Sequence, residues 1–85
     1  MPLRTKVEHA FFQYGKLKQI PVVQKKREVV LGILAEKFEK DRIYQESEVN
    51  AVIEKIHADF CTLRRLLVDY GYLARKDGVY RRVSA

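Results

Sequence analysis

Residues 57–83 read HADFCTLRRLLVDYGYLARKDGVYRRV, and this stretch carries the strongest structural signals of the chain. Its first part predicts an amphipathic helix, because apolar residues recur there three and four positions apart. The buried face of that helix comprises Phe60, Leu63, Leu66, Leu67 and Tyr70. Asp59 is a good N-cap, with a carboxylate placed to accept from the Thr62 N–H, and Gly71 is a common residue just past a helix end. The helix is therefore expected from Asp59 to Tyr70.

The residues that follow predict a β-hairpin. Two runs with strand-forming residues, 72–76 and 79–83, flank Asp77-Gly78. An Asp-Gly pair favours a type I′ turn, which needs a positive φ at both central residues. A two-residue loop places Lys76 opposite Val79, Arg75 opposite Tyr80, and Leu73 opposite Arg82.

The segment before residue 57 predicts a second, shorter helix. The string YQESEVN, residues 44–50, offers Ser47 as an N-cap. The apolar residues of its inner face are Val49, Val52, Ile53 and Ile56. His57-Ala58-Asp59 interrupts the helical pattern, so a three-residue turn is expected between the two helices. Ile43 and Tyr44 are too few for a long strand but can add a short rung to a small sheet.

Two further helices are expected towards the N-terminus. Residues 22–38 form the longest, and Pro21 can start it because the N–H that proline lacks is not needed there. An earlier apolar stripe, which Gly15 ends, comprises Leu3, Val7, Ala10, Phe11 and Tyr14. Phe12 lies off that stripe; it fits the rim of the core or a contact with a second copy, and the rim is the favoured interpretation.

This order of elements predicts a mainly α fold with a small β-hairpin, an α+β class that is winged helix-turn-helix-like. A single domain is expected over residues 1–85, with an N-terminal helix and connector over 1–20 and a core over 21–83. In that arrangement helix 59–70 is the recognition helix and hairpin 72–83 is the wing. A recognition helix enters the major groove of DNA, and cations beside it contact phosphate.

The candidate DNA-binding residues lie on the outward face of that helix and on the hairpin: Thr62, Arg64, Arg65, Arg75, Lys76, Arg81 and Arg82. Arg65 can bond guanine bidentately, Thr62 can bond a base or a phosphate, and Arg64 on the flank suits a phosphate. Small hairpins also expose Lys and Arg to block edge pairing, and this interpretation of the wing weighs equally. Asp69 counts against DNA, because an anion on a groove-facing surface lowers affinity.

Charge and composition narrow the classes of function. The net charge is +6, with 17 basic and 11 acidic residues, and the two ends of the chain are basic while the middle is acidic. Such a distribution suits either a polyanionic partner or self-association. The expected polyanion is double-stranded DNA, and a homodimer or a complex with a partner regulator is also possible. The longest apolar run, 29–35, is far below the roughly 20 residues of a membrane span. With one cysteine, Cys61, a disulfide framework is excluded, and a reduced, cytoplasmic setting is expected.

A group of polar residues could also suggest a chemical site: Glu46, Glu48, Asn50, His57, Asp59, Arg64, Arg65 and Asp69. The favoured interpretation is structural: Asp59 caps a helix, Asn50 or His57 bonds the turn, and Arg64 pairs with Glu46 or Glu48. A metal site at His57, Asp59 and Cys61 is disfavoured, because side chains two residues apart across a helix start do not point towards one ion. A nucleophilic Cys61 activated by His57 is disfavoured because the helix breaks between the two residues. We therefore expect no catalytic residue, metal or cofactor, and no enzyme.

Several strings together resemble a known bacterial family, domain of unknown function 2087. They include Ile20-Pro21, Gln24-Lys25-Lys26-Arg27, YQESEVN (44–50), HADFCTLRRLLVDYGYLAR (57–75) and Gly78-Val79-Tyr80-Arg81. The resemblance covers roughly residues 15–82. Proteins of this kind occur alone or joined to helix-turn-helix regulators of the arsenic-repressor type, which implies a role linked to transcription regulation. The alternative is a protein-interaction or dimerisation module of winged-helix shape that does not bind DNA.

Overall fold

The computed structural model describes residues 2–83 and has an α+β fold, with four helices and two small antiparallel sheets in that range. The elements in chain order are α1 (Leu3–Phe11), β1 (Phe12–Gln13), β2 (Lys16–Leu17), α2 (Gln24–Ala35), β3 (Ile43–Gln45), α3 (Glu46–Glu54), α4 (Phe60–Asp69), β4 (Leu73–Lys76) and β5 (Val79–Arg82). No helix within residues 2–83 is both long and apolar enough to cross a membrane.

The C-terminal hairpin has the predicted turn and register. Asp77 and Gly78 have φ values of 52° and 78°, as a type I′ turn requires. Lys76 lies opposite Val79, and the three other pairs of β4 and β5 follow in step. The short rung is also confirmed: β3 pairs antiparallel with β5, on the side away from β4. The resulting sheet has the order β3-β5-β4.

The N-terminal helix is shorter than its apolar stripe predicts. α1 ends at Phe11, and the chain then forms a two-stranded hairpin whose turn is Tyr14-Gly15, with φ values of 55° and 77°. Leu17 on its second strand is buried, and its N–H donates to the carbonyl of Ile56 at 2.9 Å. Burial of Leu17 therefore outweighs another helical turn, which would have included Tyr14, now 94% exposed.

Two helix starts differ from the sequence predictions. α2 begins at Gln24, not at Pro21–Val22, and Pro21 is buried in the preceding connector, where its carbonyl accepts from Arg27 Nε at 3.0 Å. α3 is capped by Gln45 and not by Ser47. The cause is β3, which runs to Gln45 and passes directly into the helix, so the end of the strand fixes the cap.

One hydrophobic core joins the helices to the inner face of the three-stranded sheet. Its buried members include Leu31 and Leu34 of α2, Val49 and Ile53 of α3, and Leu63, Leu67, Leu73 and Tyr80 further along the chain. Phe12 is half-buried against this core, which confirms the rim interpretation. α3 packs on α4, and α4 in turn contacts α2 and β4. This packing fixes one side of α4 and leaves the other to solvent.

Candidate nucleic-acid interface

The solvent side of α4 presents Thr62 and Arg65. Both are exposed, and Arg65 makes no hydrogen bond or ion pair with any part of the chain between residues 2 and 83. Asp69 is exposed on the same helix, near its C-terminal end. The face therefore offers one unengaged guanidinium and a hydroxyl, with a carboxylate about one turn beyond the arginine.

Arg64, the neighbouring residue, is placed differently from the sequence expectation. Its side chain is only 15% exposed; Nε lies 3.7 Å from Glu46 Oε1, and a terminal nitrogen donates to Asn50 Oδ1. The flank on which Arg64 was expected to meet a phosphate is thus occupied, because α3 packs alongside α4 and supplies two oxygens to the guanidinium. Of the two predicted partners of Arg64, Glu46 and Glu48, the structure pairs it with Glu46. Of the two residues predicted to bond the turn, Asn50 bonds Arg64 instead.

Glu46 also connects α3 to the hairpin. Its Oε1 accepts from the Tyr80 hydroxyl at 2.7 Å, and this hydrogen bond, with the charge of Arg64, lowers the pKa of the Glu46 carboxyl. Burial, together with the same hydrogen bond, raises the pKa of Tyr80. The chain of contacts from Tyr80 through Glu46 to Arg64 therefore holds β5, α3 and α4 in a fixed relation.

The turn between α3 and α4 is fixed by its own side chains. His57 Nδ1 accepts from the Asp59 N–H at 3.0 Å, and Asp59 Oδ1 accepts from the Thr62 N–H at 3.4 Å. Both contacts match the structural interpretation of these residues, the second being the expected helix cap. Between residues 2 and 83, no three His, Cys, Asp or Glu side chains lie close enough together to hold a metal ion.

The four cations of the hairpin divide between the two faces of the sheet. Arg75 and Arg82 share the inner face with Tyr80: Arg75 Cζ lies 5.9 Å from the ring centroid, and Arg82 donates to the Phe38 carbonyl at 3.1 Å. Lys76 and Arg81 lie on the outer face and are exposed. Alternation along paired strands produces this division, so the hairpin does not present its four charges as one patch.

A family model described as "Uncharacterized protein conserved in bacteria (DUF2087)" matches residues 16–82. The chain belongs to this family. The resemblance seen in the sequence is thereby confirmed at the level of the family. No curated protein and no solved structure gives a match.

The DUF2087 match includes every candidate site residue, from Thr62 to Arg82, and the whole network around Arg64. It begins at Lys16, so α1 and β1 precede it. Within the matched segment, sequence reasoning missed the link from Tyr80 to Glu46. The hairpin register does predict that Tyr80 lies on the inner face with Leu73. It does not predict the acceptor of the Tyr80 hydroxyl, because Glu46 is 34 residues away in the chain and no local sequence pattern connects the two.

Proposed function

We propose that the chain is a winged-helix module that binds double-stranded DNA and takes part in transcription regulation, with α4 as the recognition helix and the β4–β5 hairpin as the wing. The observation that carries the proposal is the order α2-β3-α3-α4-β4-β5 combined with the strand order β3-β5-β4. In a winged helix, the strand before the helix pair lies at the sheet edge beside the last strand. The short turn between α3 and α4 fits the same arrangement.

Arg65 is the proposed base contact. It is exposed on the second turn of α4 and unengaged by residues 2–83, so its guanidinium can reach the edge of a guanine without breaking an internal bond. Thr62 lies three residues earlier on the same face and is suited to a phosphate or a base edge. Arg64 is proposed to position α4 against α3 and not to contact DNA, because DNA would have to displace Glu46 and Asn50.

The outer face of the hairpin supplies the proposed phosphate contacts. Lys76 and Arg81 are exposed there, and each neutralised phosphate contributes about 0.9 to the slope of log K against log salt. Arg75 and Arg82 have inner-face contacts and serve as secondary contacts at most. The proposed interface therefore consists of α4 for sequence and the outer hairpin face for affinity.

Fluorescence anisotropy with mixed-sequence duplex DNA over a salt series tests the proposal. We expect binding at low salt that weakens steeply as salt rises. The double variant Lys76→Ala/Arg81→Ala should weaken binding for all sequences and reduce the slope by about 2, whereas Arg65→Ala should relax sequence preference. The control is Lys37→Ala, which removes an exposed cation two residues past the end of α2, beside α1 and β1; this variant should bind as the wild type does. Absence of binding at low salt by the folded wild type rejects the proposal.

One observation favours a second candidate, a protein-interaction module of the same shape. The exposed face of α4 carries Asp69 and the cap Asp59 beside its single unengaged cation, so among the described residues this face is not strongly basic. The test compares the DNA affinity of Asp69→Asn with that of the wild type. If the variant binds DNA no more tightly, the protein-interaction candidate is favoured. Removal of an anion from a true reading face should strengthen binding, with the largest effect at low salt.

A further inference from the structure

The hairpin and the helix α4 meet at one carboxylate, that of Glu46, which is the first residue of α3. Its Oε1 accepts from the hydroxyl of Tyr80 on β5 at 2.7 Å. The same oxygen lies 3.7 Å from Nε of Arg64 on α4. A single side chain of α3 therefore connects the two elements that are proposed to contact DNA.

Both partners of Glu46 are chain neighbours of proposed DNA contacts. Tyr80 is buried and precedes the exposed Arg81, because successive side chains of a strand point to opposite faces. Arg64 precedes Arg65, and the two side chains leave the helix about 100° apart. Glu46 thus holds the inward member of each pair, while the outward member remains exposed to solvent.

The hairpin has few other polar links to the helix pair. Among residues 2–83, no second side-chain hydrogen bond or ion pair joins β4 or β5 to α3 or α4. At its open end, Arg82 donates to the carbonyl of Phe38 before β3, and backbone pairing of β5 with β3 covers three residue pairs. Tyr80 is the inward-facing residue of β5 nearest the turn, so its hydroxyl anchors the far half of the hairpin.

We propose that Glu46 is a positioning residue that fixes the hairpin relative to α4, so that Arg81 and Arg65 can engage one DNA segment together. Its effect on DNA rests on the proposed function, whereas the fixed relation of the two elements is a property of the free chain. Sequence is read only if Arg65 reaches a base edge while the hairpin holds the backbone. Without the fixed relation, phosphate contacts form while Arg65 misses its base.

Two tyrosine variants separate positioning from stability. Tyr80→Phe removes the hydroxyl that bonds Glu46, but it keeps the ring in the core and the Glu46–Arg64 pair. Tyr72→Phe is the matched control, because it also removes one tyrosine hydroxyl bond, the 3.1 Å contact with the Glu28 carbonyl of α2. A third variant, Glu46→Ala, removes both contacts of the carboxylate and should have a larger effect than Tyr80→Phe. Circular dichroism checks that each variant is folded.

The first measurement needs no DNA. Residual dipolar couplings of a weakly aligned sample report the orientations of the amide N–H bonds in one frame. In the wild type and in Tyr72→Phe, the couplings of α4 and of the hairpin should fit a single alignment tensor. In Tyr80→Phe, and more so in Glu46→Ala, the hairpin should require a tensor of its own because it moves relative to α4.

The second measurement compares two affinities by anisotropy: one for a duplex that the wild type selects from a random-sequence pool, the other for mixed-sequence duplex. Tyr80→Phe should reduce the ratio of the two affinities by about two- to thirtyfold while the salt slope stays close to that of the wild type. Tyr72→Phe should keep the ratio. Loss of stability alone lowers the folded fraction, which reduces both affinities by the same factor and leaves their ratio unchanged.

Two results would overturn the inference. One is a folded Glu46→Ala chain whose hairpin and α4 still fit a single tensor; the other is an equal loss of sequence preference in the two tyrosine variants. If Glu46→Ala does not fold, the comparison of Tyr80→Phe with Tyr72→Phe decides. If the folded wild type does not bind DNA, the proposed function is rejected, and the dipolar couplings alone decide whether Glu46 positions the hairpin.

Discussion

The same substitution at two adjacent arginines of α4, Arg64 and Arg65, should affect two different properties of the protein. Arg64→Met keeps most of the aliphatic stem but removes the guanidinium, and with it the hydrogen bond to Asn50 and the 3.7 Å ion pair to Glu46. Arg65→Met makes the same change at an exposed position with no bonded partner among residues 2–83. The first should therefore reduce stability and the second should affect binding.

The magnitude follows from the surroundings of Arg64. A charge-assisted hydrogen bond contributes about 1.5–3 kcal/mol, and the lower end applies because the contact is only part-buried. The ion pair adds little, since the Glu46 side chain is 46% exposed. We expect a loss of about 1.5 kcal/mol, which for a chain of this size lowers Tm by roughly 6–12 °C. Arg65→Met should change the stability by less than about 0.5 kcal/mol.

Thermal unfolding by circular dichroism, followed by anisotropy with duplex DNA below the Tm of both variants, reads out the two effects. Arg64→Met should keep the salt dependence of the wild type, whereas Arg65→Met should lose affinity and sequence preference. If Arg64→Met unfolds with the wild type and instead reduces the salt slope by about 0.9, then Arg64 neutralises a phosphate and its assignment to the α3–α4 contact is wrong.

Three further predictions concern the fold. Gly78→Ala should lower the stability by about 1 kcal/mol in chemical denaturation, because φ is +78° there while the added Cβ has open space; an unchanged midpoint would mean that the turn is not held in this form. Leu67 is fully buried, so Leu67→Ala should lower the free energy of unfolding by about 2–5 kcal/mol in the same assay. A smaller loss would show that neighbouring side chains move in to fill the cavity. Hydrogen bonds from Arg4 lower the pKa of Glu36 in the folded state, so its contribution to stability is present above about pH 4.5 and is lost as the pH falls through the folded value. Between pH 5 and pH 3 the Tm of Glu36→Gln should therefore fall less than that of the wild type, and an equal fall would contradict the assignment.

The parts of the fold that sequence reasoning predicted correctly depend on short-range chemistry. The cap at Asp59 and the Asp77-Gly78 turn are specified by neighbouring residues, so both appear as expected. The turn residues also set the register of the hairpin, and with it the faces on which Arg75 and Arg81 lie. Local rules were sufficient wherever the deciding partner is within a few positions.

The parts that differ depend on partners distant in the chain. The helical stripe through Tyr14 was a valid local pattern, but burial of Leu17 against Ile56 favoured a hairpin in its place. Periodicity placed Arg64 on the flank of α4, yet only the packing of α3 beside it reveals the oxygens of Glu46 and Asn50. A helical wheel gives the direction of a side chain but does not identify which other element meets it there.

Cys61 makes α4 chemically addressable without any substitution. It is the single thiol of the chain and is exposed, one turn before Arg65. A maleimide dye attached there marks one defined point on the surface that is proposed to face DNA, and duplex DNA in contact with that surface should slow the alkylation. Purification under reducing conditions is advisable for the same reason, since an accessible thiol of this kind can link two molecules by air oxidation.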